Sequence, residues 1–421
     1  MISGNSKAIS TTLHIWALDS VIRELQSCSA ACAAEFADLI IPGRVSLLSA
    51  ESGNAVQSFA AVYGASQLAK MPELTLYETG ARRLHPRSLR KILEKHQSRV
   101  EEAQLPPPLF LRDANRESIA RTLAEYLDDQ QYVAYATTLT FRSNIVDQCL
   151  TNFLGHNETS SKLTRSSIDT TSIMPYGTLL ALKASALTST STVHVITGVR
   201  AYIVYPPTPH NLTTLNKYLI DLAGDFAPNY KSVCHELENG IAFVQRAGQA
   251  VTIPPCCPTV VFATKSSADI TVRSRCVEDL PLRLEYLATL MAQTLALQLI
   301  CRETSEVLLE YHTTQLYKDL TTVLRALEPS AANCALLLAL GAVWEREYSR
   351  FRGLVELYVE KSLRKHICRN IPRVWSLAVQ NQGLRHCPVC NVSIEGHGVV
   401  FLTHFRAEHW DVGEYTYPGQ D

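Results

Sequence analysis

The sequence predicts an α+β protein: a β core flanked by N-terminal and C-terminal helical regions, with a small Cys/His unit at the end. Three observations predict it. Short β-branched and aromatic runs follow one another from about residue 173 to 276, with turn residues between them. Apolar residues recur at helical spacing on both sides of that stretch. Near the end, Cys387-Pro388-Val389-Cys390 is followed after 13 residues by His404 and after four more by His409.

The bulk numbers set the frame. A chain of 421 residues exceeds the size at which one core keeps growing, so two to three domains are expected. With 46% hydrophobic and 19% charged residues it is a core-rich folded protein. A net charge of −1 provides no global field toward nucleic acid or an anionic membrane. The first eleven residues are polar and lack the apolar stretch of a secretory signal. The runs 286–300 and 334–344 are too short or too interrupted to span a bilayer, and read as buried helices. The expectation is an intracellular protein without membrane partners, its twelve cysteines mostly reduced.

In chain order, residues 1–105 read as a helical region, with helices over 12–38, 54–70 and 87–102. Cys28 and Cys32, one turn apart in the first, read as small core residues. Pro106-Pro107-Pro108 marks the boundary to residues 106–278. There a helix over 113–127, a strand over 132–141 and a helix over 144–154 lead into a Ser/Thr/Asn-rich surface loop at 156–172. Strands are expected over 178–183, 193–196, 200–205, 241–245, 250–253, 259–264 and 269–273, a spacing that suits a sandwich or barrel. Gly198 reads as a tight turn between two of them. A helical insert covers 213–222. Residues 279–382 read as a helical domain, with segments near 281–303, 304–327, 331–362 and 364–380.

Residues 383–421 read as a C2H2-type zinc finger and tail. Two thiolates and two imidazoles at this spacing, Cys387, Cys390, His404 and His409, close a tetrahedral site for structural Zn²⁺. His404 and His409 share one predicted helix, 402–410, and His386 and His397 are alternative ligands. Ile394 and Phe401 stand where a small finger needs its core. The helix and tail show Glu408, Asp411, Glu414 and Asp421, and so lack the basic face that phosphate binding wants. A structural or protein-contact finger is the expectation, with nucleic acid as a weaker alternative.

One stretch carries a resemblance. Gly198-Val199-Arg200-Ala201-Tyr202-Ile203-Val204-Tyr205-Pro206-Pro207-Thr208-Pro209-His210-Asn211-Leu212, with the later Ala247-Gly248-Gln249-Ala250-Val251-Thr252-Ile253-Pro254-Pro255, resembles the middle of a Jumonji C (JmjC) domain of the histone-demethylase-like group in the cupin superfamily. The resemblance covers roughly residues 173–276. It implies a double-stranded β-helix, the cupin-like jelly roll of 2-oxoglutarate oxygenases. Active members hold Fe(II) through His-x-Asp/Glu and a distal His. The family's spacing puts those positions at Lys183, Ser185 and Thr259, none of which supplies the ligand. The co-substrate lysine is Arg200 here, a remnant of a 2-oxoglutarate site that can still pair with a carboxylate. His194 falls beyond the motif, and adjacent strand residues Cys256 and Cys257 point to opposite faces.

The resemblance therefore implies a pseudoenzyme: a non-catalytic JmjC-like binding or scaffolding factor in chromatin or heterochromatin regulation, nuclear, without Fe(II) or 2-oxoglutarate. A histone tail, a chromatin protein or a second copy would be its partner. The alternatives are a divergent Fe(II)/2-oxoglutarate oxygenase (a lysine demethylase or protein hydroxylase) and a zinc-finger nucleic-acid-binding regulator. Tyr176, Tyr202 and Tyr205 are the residues from which an aromatic cage would be drawn.

Overall fold

A computed structural model describes residues 21–47, 74–78, 139–141, 167–174, 176–185, 189–223, 229–274, 277, 279–298, 302–394 and 399–410. The helices expected over 54–70, 87–102, 113–127 and 144–154 lie outside the described residues, as do His397 and the acidic tail. The chain divides into two compact units, Met1–Tyr218 with Pro228–Arg275, and Leu219–Ala227 with Cys276–Asp421. The architecture is α+β, as the sequence predicts.

The first unit is built on a nine-stranded mixed sheet: β1 (Val45–Leu47), β2 (Thr75–Glu78), β3 (Leu139–Phe141), β4 (Ser167–Met174), β5 (Leu179–Ala184), β6 (Thr190–Val204), β7 (Gly240–Arg246), β8 (Gln249–Ile253) and β9 (Pro258–Ser274). β6 and β9 form its spine. They pair antiparallel from Thr190↔Ser274 to Val204↔Thr259. At one end the spine is flanked by β8 and β4, at the other by β7 and β5. The other described strands extend the one sheet outward from these two long strands. β6 is buried along most of its length on both faces, which explains why its sequence reads as a near-continuous apolar run.

The helix α1 (Ala31–Ala37) follows a short helical stretch over 21–26. The single helix expected over 12–38 is broken at Ser27–Ala30. Ser27 bonds its hydroxyl to the Glu24 carbonyl (2.8 Å) and so competes with the helical ladder. α1 then lays Phe36 against Phe262 of β9, ring centroids 5.7 Å apart.

Two further expectations are corrected. The Gly198 turn does not reverse the chain: Val193–Ile196 and Arg200–Val204 belong to one continuous strand, β6, which stops one residue short of Tyr205. Gly198 does take a positive φ of 80°. It serves there to absorb register shifts between Val195 and Arg200 and to let β9 approach. A Cβ on Gly198 would lie 2.6 Å from the Ser267 Cα. Likewise the loop expected at 156–172 is a strand from Ser167 on. Its Ser and Thr side chains mask a segment whose backbone pairs with both β3 and β9.

The core of this unit gathers Leu74, Leu76, Met174, Val204, Ile241, Val251, Ile253 and Val261 around the stacked rings of Tyr202 and Phe243, 5.1 Å and 7° apart. α2 (Pro209–Ala223) and α3 (Tyr230–Glu236) interrupt the strands between β6 and β7. Asn211 ties this insert to the strand that precedes it. Its side-chain N–H groups donate to the Pro206 and Glu238 carbonyls (2.9 and 3.0 Å), and its carbonyl accepts from the Glu238 N–H at 2.9 Å.

The second unit is helical: α4 (Leu280–Glu285), α5 (Leu287–Gln298), α6 (Arg302–Ala326), α7 (Ala331–Tyr358), α8 (Lys361–Asn381) and α9 (Val399–His409). Pro329-Ser330 breaks α6 from α7 as the sequence suggests. The Ser330 hydroxyl then caps α7 by accepting the Asn333 N–H at 3.1 Å. A buried pair, Arg283 with Asp319 at 2.6 Å, ties α4 to α6. Among the described residues, no helix is long and apolar enough to cross a membrane.

Candidate metal centre

The four predicted ligands converge. α8 ends in a Schellman motif: the Leu384 N–H donates to Val379 O (3.2 Å) and the Gly383 N–H to Gln380 O (3.0 Å). The chain then forms a short hairpin in which His386 bridges Ser393 and the Cys387 N–H donates to Val392 O at 2.8 Å. Asn391 makes the tight return with φ 60°, a conformation asparagine tolerates. This places Cys387 and Cys390 on one side of the hairpin. α9 presents His404 and His409 to them.

The four ligand atoms all lie within 4.8 Å of one another. Cys390 Sγ stands 3.2 Å from His404 Nε2, and Cys387 Sγ 3.5 Å from His409 Nε2. Zinc bonds of about 2.3 Å to sulfur and 2.0–2.1 Å to nitrogen put tetrahedral ligands roughly 3.3–3.8 Å apart. The donor set and its spacing fit such an ion. Burial together with the nearby His404 lowers His409 to about 4, so its imidazole is in the neutral form that binds metals. Burial raises the Cys387 thiol to about 11, the direction expected of a sulfur that needs a cation to ionise. A cleft of about 570 Å³, walled by Glu345 and Tyr348 of α7, opens beside Cys390 and His404. His386, the alternative ligand, is exposed in the hairpin strand and stands outside the cluster.

The centre is fastened to the helices by aromatic rings. Trp344 of α7 meets Trp375 of α8 (5.6 Å), Phe405 of α9 (6.2 Å) and Trp410 (5.7 Å). Its indole N–H donates to the carbonyl of the ligand His409 at 3.3 Å. Arg352 of α7 donates to the Trp410 carbonyl. Gly341 of α7 lies against the backbone of Pro388, between the two cysteines.

Lys183, Ser185 and Thr259, the positions the resemblance singles out, also come together in space, in the first unit. Lys183 of β5 stands opposite Thr259 of β9 in the ladder. Ser185 accepts the Cys257 N–H (2.9 Å) and donates to Pro254 O (2.7 Å). Thr259 donates its hydroxyl to Cys257 O at 3.0 Å. These hydroxyls serve the backbone, and Lys, Ser and Thr do not compose the His/carboxylate set that Fe(II) requires. Cys256 and Cys257 are fully buried, and burial raises both thiols well above their ordinary range. Among the described residues, the Cys387 cluster is the one group of three or more metal-ligating side chains.

Arg200 is buried and forms an ion pair with Asp269 of β9. Its Nε donates to Ser267 Oγ at 2.7 Å, and Ser172 bonds the same carboxylate. Burial works against the guanidinium charge, but Asp269 and Tyr202 together outweigh it and raise the pKa. The sequence reading did not anticipate Asp269, and no local pattern marks it. Tyr202 and Tyr205 are buried, while Tyr176 bonds Ser29 at 2.8 Å. His194 faces Ala250 of β8 and Ile270 of β9 in the ladders. In comparison with known proteins, no family model matches the chain and no curated protein matches it.

Proposed function

We propose that the chain is a non-catalytic JmjC-like protein that works by binding a protein partner, with its C2H2-type unit held by structural zinc. The observation that carries this reading is Arg200. The side chain aligned with the co-substrate contact has its carboxylate partner inside the protein, in Asp269. An Arg200 already paired with Asp269 is not free to hold a dicarboxylate co-substrate. Lys183, Ser185 and Thr259 support the same reading, since they lie close together on and beside β5 and β9 yet bring no His/carboxylate ligand set. The jelly-roll reading is supported by the long antiparallel pair β6 and β9, flanked by β8 and β4 at one end and by β7 and β5 at the other. Fold alone does not give function. A chromatin partner and a nuclear location follow from the resemblance.

Zinc at Cys387, Cys390, His404 and His409 would supply folding energy rather than catalysis, because four protein ligands leave no open position. The test is metal analysis and turnover on the purified full chain. One zinc per chain, no iron, and no succinate formed from 2-oxoglutarate are expected. Stoichiometric Fe(II) with 2-oxoglutarate turnover would overturn the reading.

A further inference from the structure

From Lys361 to Ile394 the chain contains no Asp or Glu, yet it carries Lys361, Arg364, Lys365, Arg369, Arg373 and Arg385. In a chain of net charge −1 this is a marked local asymmetry. The structure places most of it on one helix. Lys361, Lys365, Arg369 and Arg373 follow one another at four-residue steps along α8, and all are exposed. No ion pair involves any of them among the described residues. Arg325 of α6 lies on the flank of this row, donating to Asn370 of α8 at 3.1 Å.

We propose that the exposed face of α8 binds the phosphate backbone of a double-stranded nucleic acid. Four-residue steps on an α-helix are about 6 Å apart along the axis, each turned by roughly 40° from the last. The four cations thus form a slanting row about 18 Å long, the length of about five base pairs at 3.4 Å each. The row matches repeated charge.

Other polyanions fit less well. A single strand is held by stacking its bases on exposed aromatic rings, and the one aromatic of α8 apart from His366, Trp375, is fully buried. An anionic membrane would take the helix by its apolar face. That face, with Ile367, Ile371, Val374, Trp375 and Ala378, is already buried inside the second unit. The finger helix α9 is not the reader either, for its Phe405 and His409 are buried and Trp344 holds it. The inference rests on the second unit alone and stands or falls separately from the JmjC-like reading.

The experiment is fluorescence anisotropy of the full-length, zinc-loaded chain on labelled 20-base-pair DNA and RNA duplexes of random sequence, from 50 to 200 mM salt. Four phosphate contacts predict a slope of log affinity against log salt of about −3.6, a loss of about 150-fold over that range. Lys361→Gln, Lys365→Gln, Arg369→Gln and Arg373→Gln combined should abolish the salt slope while circular dichroism stays unchanged. If that variant misfolds, Arg369→Gln alone should reduce the slope by about 0.9. Lys318→Gln, on α6, should change nothing. Binding to both duplexes supports backbone recognition, and binding to one assigns the duplex type. No binding to either at 50 mM salt overturns the proposal. So does a folded quadruple variant that binds like the parent, or tighter binding to phosphatidylserine vesicles or polyglutamate than to either duplex.

Discussion

Trp344 of α7 and Trp410 at the end of α9 stack with their rings 5.7 Å and 22° apart. Both are fully buried, Phe351 packs against both rings, and Phe405 packs against Trp344. This contact makes the metal centre part of the helical core instead of a bead on a string. Trp410→Ala should therefore cost about 3–5 kcal/mol, the range for deleting a buried tryptophan. Urea denaturation followed by far-ultraviolet circular dichroism, which reports the long helices, checks it. A loss below about 1 kcal/mol would show that the helices do not depend on this ring.

Gly341 makes the same point through the backbone. A Cβ there would lie 2.5 Å from the carbonyl carbon of Pro388. In an isolated helix Gly→Ala would gain about 1 kcal/mol. Here the overpacking cost of about 1–3 kcal/mol opposes that gain. Gly341→Ala is expected to lower the melting temperature by several degrees and to weaken zinc retention against a chelator. An increase in melting temperature would mean that the hairpin yields freely.

Zinc removal should be felt beyond the four ligands. Three of the chain's four tryptophans, Trp344, Trp375 and Trp410, sit in the cluster that α9 completes. A strong chelator, or Cys390→Ser, should red-shift the tryptophan emission and release one zinc, read by a colorimetric metal indicator. Unchanged emission on full zinc release would separate the ion from the packing of α9.

In the first unit, Arg200 and Asp269 are each almost fully buried. Removing one partner leaves a buried charge uncompensated, at a cost of about 3–5 kcal/mol. Asp269→Asn should show that loss in denaturant unfolding. Arg200→Met with Asp269→Leu should recover most of it, since an apolar pair of similar volume is often no worse than a buried ion pair. A double variant as unstable as the single one would mean that Ser172 and Ser267 set the geometry rather than charge.

The metal centre was legible because its ligands are set by local spacing: two cysteines on a hairpin turn and two histidines on one helix. The long helices were legible for the same reason, their periodicity broken by Pro329-Ser330. Most strand positions of the first unit were legible from β-branched residues, but their continuity was not. A glycine at φ 80° looks the same in sequence whether it reverses a chain or bends it, and only pairing with β9 decides. Asp269 and Gly341 were not legible at all. Each matters through a residue distant in the chain, Arg200 and Pro388, and no periodicity records such a contact. The row of cations on α8 was readable in principle, as a stretch without acids.

The order of synthesis gives the tryptophan stack a further meaning. Trp344 and Trp375 emerge from the ribosome well before Phe405 and Trp410, the rings that cover them. Until residue 410 is made, α7 and α8 hold an uncovered aromatic surface of the kind that chaperones engage. Chains halted before α9 would display it permanently. The last aromatic residue of the cluster thus doubles as a mark of completion, and premature termination anywhere between Trp375 and Trp410 should leave a product that is recognised and degraded rather than a shorter working protein.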